Sequence, residues 1–272
     1  MDPVAAAYDH DPEREWTRLE RSPYLALEFD VTWEALARWI PPGAHILDAG
    51  GGPGRYALAL CRAGWHVTLL DLSAGLLDKA RANFAAEAPE VCARLKAVEQ
   101  GDLRDLSRFA DGSFDAVVCL GGPLTHLPLE AERTRAAMEL ARVARPGGLV
   151  FLTGVGYLAV MRWMLNNNSE DLISPEFEPF LRDGNITGAT SSPWHFFRAA
   201  ELRALGEVCG LETVAMRGCQ GLSSGLVSSS NQMAEARPDL WQVWHALLLR
   251  TASDPTLVDT SEHILWIGRK PG

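Results

Sequence analysis

From residue 46 to residue 153, short apolar runs alternate with segments whose apolar residues recur at helical spacing. The runs at 46–49, 67–70, 96–100, 114–120 and 149–153 have the length and composition of buried strands. The spacing between them predicts helices over 55–63, 74–86 and 133–144. Gly64 is placed to stop the first of these helices, and Ser73 to open the second. Strand and helix alternate five times, which implies a parallel sheet with helices on both faces.

The flanks are less regular. Residues 13–20 and 24–40 read as two helices separated by Pro23. Leu25, Phe29, Leu36 and Ile40 form the expected apolar stripe of the second, which Pro41-Pro42-Gly43 ends. This leading segment either packs on the domain or covers a cofactor. Beyond strand five, 157–165 reads as an apolar helix. Residues 166–193 are polar and rich in turn formers, the composition of a lid. A helix up to Cys209, a strand at 211–216, a serine-rich loop at 223–230, a helix at 240–249 and a closing strand at 263–268 complete the pattern. The expected fold is a doubly wound, Rossmann-like α/β domain. Its sheet is seven-stranded and mostly parallel, with an antiparallel edge strand. Residues 1–42 are expected to form a helical cap on a domain of 43–272, with a lid insertion at about 156–195.

The chemistry is concentrated at the strand ends. Strand one runs into Asp48-Ala49-Gly50-Gly51-Gly52-Pro53-Gly54, a glycine turn that opens a helix. Such a turn lets backbone approach a ligand closely, at the edge where doubly wound sheets bind nucleotides. Strand two ends on Asp71, about 20 residues further on, where a carboxylate can accept hydrogen bonds from both ribose hydroxyls. Asp71 also precedes the helix that Ser73 opens, so an acid at the helix N-terminus is its other reading. Gly101-Asp102 follows strand three, where an acid can receive the exocyclic amine of an adenine. Strand four ends on a second glycine turn, Gly121-Gly122-Pro123, followed by Thr125 and His126. A dinucleotide fingerprint would place a glycine where Arg55 stands, so the pattern departs from that of a nicotinamide-binding protein.

Composition narrows the partners. The net charge is −10, and half of it lies in residues 1–30, where eight Asp or Glu face three Arg. This disfavours a broad phosphate-binding surface. Five cysteines without a CxxC pair read as reduced thiols of a cytoplasmic protein with no zinc site. No apolar run reaches the roughly 20 residues of a membrane span.

Together, Asp48–Gly54, Asp71, Gly101-Asp102, Phe114-Asp115-Ala116-Val117 and Arg145-Pro146-Gly147-Gly148 resemble the class I S-adenosylmethionine-dependent methyltransferases. The likeness covers about residues 43–155 well. It is nearest to the small-molecule, quinone-biosynthesis type, and it touches a tRNA wobble-uridine group. The resemblance implies S-adenosylmethionine as cofactor and S-adenosylhomocysteine as product. It places the methionine part on Asp48, Gly50, Gly51, Gly52 and Gly54, and the ribose on Asp71 with Leu72 beside it. It places the adenine on Gly101, Asp102 and Leu103, with Leu120 and Gly121 alongside. Tyr24 is a candidate to close that pocket. His126 is the first candidate base and His195 the second, each with packing as its alternative. The acidic flanks point to a small neutral or cationic acceptor and to no nucleic-acid partner. A tRNA-modifying enzyme and a non-catalytic cofactor-binding protein are the competing readings.

Overall fold

The structure, a computed structural model, describes residues 2–175, 177–186 and 192–272. Its main sheet has the strand order β3-β2-β1-β4-β5-β9-β8. These strands are β1 (His45–Ala49), β2 (His66–Asp71), β3 (Leu95–Gln100), β4 (Phe114–Cys119), β5 (Ala144–Val155), β8 (Glu212–Gly218) and β9 (His263–Arg269). The strands β6 (Asn185–Ile186) and β7 (Trp194–His195) form a separate antiparallel pair. β1 to β5 are parallel, and β9 runs antiparallel to both of its neighbours. The antiparallel strand therefore stands one place in from the edge, and β8 is the edge.

Alternation along the strands feeds two cores. Ile46 of β1 packs with Leu60, Leu69, Phe84 and Phe151 on one face, while Leu47 packs with Leu70, Val117, Leu140 and Trp266 on the other. The order reverses between β1 and β4, whose neighbours extend in opposite directions. This switch point opens a crevice beyond the carboxyl ends of the two strands.

The helices between strands lie close to their expected places: α4 (Arg55–Ala63), α5 (Ala74–Ala85), the short α6 (Pro89–Cys92) and α7 (Glu130–Val143). The leading helices are α1 (Pro3–Asp9), α2 (Pro12–Thr17) and α3 (Pro23–Trp39). The buried face of α3 holds Tyr24, Leu27, Val31, Ala35 and Leu36, whereas Leu25 and Phe29 of the expected stripe are only partly buried. Arg145-Pro146-Gly147-Gly148 is not a turn before β5. Residues 145–147 are an exposed excursion within the strand, ending on the buried Gly148, where the pairing jumps from Phe114↔Ala144 to Ala116↔Leu149.

The described residues of 157–186 have an aromatic core of their own. The helices α8 (Tyr157–Asn167) and α9 (Phe177–Asp183) pack Met164 and Phe180 against Phe196. After α10 (Ala199–Val208), the serine-rich stretch expected to be a loop contains helix α11 (Val227–Ala236). With α12 (Pro238–Thr251) and α13 (Pro255–Thr260) it makes a helical insertion between β8 and β9. Tyr24, Leu27, Leu248 and Trp244 join that insertion to α3. Among the described residues no helix is long and apolar enough to cross a membrane.

Candidate functional site

β1 ends in a chain of constrained glycines. Gly50, Gly52 and Gly54 all have positive φ (75°, 54° and 80°), which side chains other than glycine rarely adopt. The amides of Gly50 and Gly51 both donate to the Leu70 carbonyl, at 2.7 and 3.2 Å. The Gly52 amide donates to Asp71 Oδ2 at 2.8 Å, and Asp71 Oδ1 accepts from the Ser73 amide at 2.8 Å. Asp71 thus shapes the turn as well as facing the crevice. Burial raises its carboxyl above the ordinary range, with the Ser73 and Gly52 amides opposing.

Beneath the turn lies Asp48, fully buried, with no hydrogen-bond partner for either oxygen among the described residues. Burial, aided by Asp71, pushes its carboxyl up to about 7. The turn closes directly over it, since a Cβ on Gly51 would lie 2.5 Å from the Asp48 carboxylate.

The glycine turn, Asp71, Leu72, Gly101, Asp102, Leu103, Leu120 and Gly121 all border one cavity of about 330 Å³. His126 borders it as well. Gly54 and Asp48 do not. Gly54 starts α4, and Asp48 acts from below the turn. Both Asp102 oxygens are held by Arg104, whose Nη1 donates to Glu132 at 2.7 Å. Arg104 and Glu132 also face the cavity.

Two sequence candidates lie elsewhere. Tyr24 sits on the α3 face turned toward the helical insertion, donates its hydroxyl proton to Glu262, and accepts from the Gly225 amide at 3.2 Å. It is buried there, its hydroxyl taken up by Glu262 and the Gly225 amide, and it does not border the cavity. His195 belongs to β7, with Nδ1 2.9 Å from Asn185 Oδ1 and Nε2 2.7 Å from Glu201 Oε1. Both ring nitrogens are occupied by packing partners, and the ring is outside the cavity. Of the described residues in 156–195, only Pro193 borders it.

Among the described residues the cover comes from residues 2–19, which the sequence left open between packing and covering; residues 176 and 187–191 of the expected lid lie outside the described residues. Asp2, Pro3, Val4, Tyr8, Glu15, Arg18 and Leu19 all line the cavity. This strap is pinned along its length. Asp9 accepts from Ser73 Oγ at 2.5 Å and from the Gly75 amide at 2.9 Å. Arg55 stacks on Trp16 with 3.9 Å from guanidinium to ring centroid and pairs with Glu20. The residue that breaks the dinucleotide fingerprint is therefore an anchor of the strap.

Arg18 forms a fork with the buried Glu28, Nη1 at 2.7 Å and Nη2 at 3.1 Å, while its Nε donates to Glu15 at 2.8 Å. Burial alone would raise the Glu28 carboxyl, but Arg18 and then His263 outweigh it and hold it below the ordinary range. Tyr8 places its hydroxyl 2.9 Å from His126 Nε2. Burial lowers the His126 imidazole from its ordinary value, against the pull of the Pro193 carbonyl and Asp2. Tyr8, Glu15 and Arg18 had no signal in the sequence beyond their place in an acidic leader.

This sheet order, with a glycine turn and a strand-two acid facing one crevice at the switch point, defines the Rossmann-like methyltransferase architecture. Residues 46–148 match the methyltransferase-domain family. The ubiquinone biosynthesis O-methyltransferase of Xanthomonas campestris is 32% identical over 178 residues, spanning 58% of this chain and 71% of that one. Its counterpart in Xanthomonas oryzae is 31% identical over 172 residues, spanning 56% and 68%. An S-adenosylmethionine-dependent methyltransferase structure from Methanosarcina mazei superposes with a TM-score of 0.59 at 22% identity, covering 87% of this chain and 97% of that one. A Haloferax volcanii methyltransferase solved with the activator Trm112 gives 0.62 at 18% identity, over the full length of both chains. These two structures share the fold. The chain belongs to the S-adenosylmethionine-dependent methyltransferases, and S-adenosylmethionine is its cofactor.

Proposed function

We propose that this enzyme methylates a hydroxyl oxygen of a small neutral or cationic acceptor, with His126 as the base. The observation that carries this reading is the shared cavity, which the glycine turn, Asp71 and His126 all border. The donor set suits the cofactor. Asp71 has spent one lone pair of each oxygen on backbone amides and keeps the others for a ribose diol. The amides and carbonyls of Gly50–Gly52 suit the methionine part. Arg18 and Glu15, side by side in the cavity wall, supply the two charges that a zwitterionic amino acid needs. Gly101, Asp102, Leu103 and Leu120 suit an adenine.

The cofactor brings a methyl group activated on a sulfonium. The protein's part is to align an acceptor and take its proton. The cavity that His126 borders is lined in part by apolar side chains: Val4, Pro123, Leu127, Pro128, Leu129 and Pro193. Such a wall favours a flat, weakly charged molecule over a polyanion. The relatives that are O-methyltransferases by name support oxygen as the methylated atom. A neutral imidazole, kept so by burial, suits a base that works near neutral pH.

The test is calorimetric titration with S-adenosylhomocysteine, followed by methyl transfer from labelled cofactor to a panel of phenols and hydroxylated amines. Micromolar binding, with label reaching an oxygen of a panel member, supports the reading. Strong cofactor binding in the wild type, with transfer undiminished in His126→Gln, would remove His126 from the mechanism.

A further inference from the structure

His126 offers the cavity one usable nitrogen, and that nitrogen is already engaged. Its Nδ1 is buried. Its Nε2 lies 2.9 Å from the Tyr8 hydroxyl, with the rings edge to face at 5.5 Å between centroids. Burial, reinforced by Glu15, raises the Tyr8 phenol well above its ordinary range, so it keeps its proton. The 2.9 Å contact suits a phenol donating to Nε2 of a neutral imidazole that carries its own hydrogen on Nδ1. Tyr8 and His126 both border the cavity, and the Tyr8 hydroxyl stands against the nitrogen that an acceptor's proton would have to reach.

We propose that Tyr8 is a catalytic residue whose hydroxyl relays the acceptor's proton to His126 Nε2. The inference rests on the reading of His126 as the base. In the relay the acceptor O–H bond breaks as its oxygen takes the methyl group, and that proton goes to the Tyr8 oxygen. The proton already on Tyr8 passes to Nε2. Tyr8 ends neutral and His126 ends as an imidazolium, which carries the positive charge that the sulfonium gave up. No further reactant is needed.

The relay also explains why the strap carries the tyrosine. Tyr8 is the neighbour of Asp9, which holds the strap to Ser73 Oγ and the Gly75 amide. Ser73 in turn donates its amide to Asp71. Closure of the strap at the ribose corner and completion of the base are thus one event, and an open strap leaves His126 without its relay.

The experiment compares wild type, Tyr8→Phe and His126→Gln in three readouts. These are S-adenosylhomocysteine affinity, the nitrogen-15 signals of the His126 imidazole across pH, and methyl transfer to phenols. Phenylalanine keeps the ring and removes only the hydroxyl. We expect affinity within twofold of wild type. The His126 titration should move upward, because a donor that stabilises the neutral ring is lost. The turnover rate should fall about 100-fold with acceptor KM little changed. An unshifted His126 titration in Tyr8→Phe would overturn the proposal whether or not any phenol is methylated. So would turnover equal to or above wild type, which would make Tyr8 a plug in the acceptor site. Loss of transfer in His126→Gln alone sinks only the relay, whereas full transfer in His126→Gln sinks the base on which it rests.

Discussion

The Asp71 carboxylate and the Gly52 amide are joined by a 2.8 Å hydrogen bond, so the acid that ends β2 also holds the turn that ends β1. Its other oxygen holds the Ser73 amide. Asp71→Ala should therefore lose stability as well as ligand, by about 1–3 kcal/mol, because two amides lose their acceptor. S-adenosylhomocysteine affinity should fall at least about 100-fold, equivalent to about 2.8 kcal/mol. Calorimetry and thermal melts on the same samples check both; a normal melt with weakened binding would confine Asp71 to the ligand.

The two glycine turns touch. Gly50 has φ +75°, and a Cβ there would lie 2.6 Å from Pro123 Cγ. Gly43 has the same φ with nothing within 4 Å of its Cβ position. Gly43→Ala should therefore lose only about 1–2 kcal/mol of backbone strain. Gly50→Ala should lose a further 1–3 kcal/mol, roughly, and displace the second turn. Denaturant unfolding of the pair isolates the contact, and equal losses would show that Pro123 yields freely.

Asp48 makes stability depend on pH. Its folded pKa of about 7 lies above the ordinary aspartate value, so the folded state binds the extra proton between about 4 and 7. Stability from this group is accordingly lost as pH rises through that window and is flat on either side. The full effect is at most about 4 kcal/mol. Asp48→Asn should gain on wild type steadily from pH 4 to 7 and then run parallel to it. Urea titrations at several pH values read this directly, and a constant difference would mean that Asp48 is ionised throughout.

The strap should be separable from the fold. A Cβ on Gly75 would come within 2.9 Å of Asp9 Oδ1 and 3.3 Å of Asp9 Cα. Gly75 lies in the first turn of α5 without a positive φ, where alanine favours the helix by roughly 0.5–1 kcal/mol. Gly75→Ala should therefore melt no lower than wild type. It should also exchange amide hydrogens faster over residues 2–20 and bind S-adenosylhomocysteine several-fold more weakly. Unchanged exchange would place the strap's anchorage at Arg55 and Trp16 instead.

What could be read from the sequence follows how local each signal is. β1, the glycine turn and Asp71 were legible because strand, turn and acid depend on their own residues and spacing. The second glycine turn and His126 followed in the same way. Helix α11 was not legible, because five serines in residues 223–230 favour a loop until Tyr24, Trp244 and Leu248 pack nearby. The excursion at Arg145–Gly148 carries turn residues inside a strand, and only the pairing with β4 shows that the strand continues. Tyr24 and His195 were plausible by residue type, yet each lies on a face decided by tertiary packing. Tyr8 and Arg18 reach the cavity across the chain, and no local pattern announces that.

The position of β9 has a consequence for how the molecule is made. Among the described residues, β8 hydrogen-bonds to no strand except β9, and β9 lies between it and β5. A nascent chain that has emerged as far as β8 and the helical insertion must hold that strand unpaired, with the apolar flank of β5 uncovered, until residues 263–269 arrive. The slow step of assembly should then be the late threading of a single strand into a gap. In the cell this makes the interval between synthesis of β8 and of β9 the window of greatest exposure to aggregation or to a chaperone's grip.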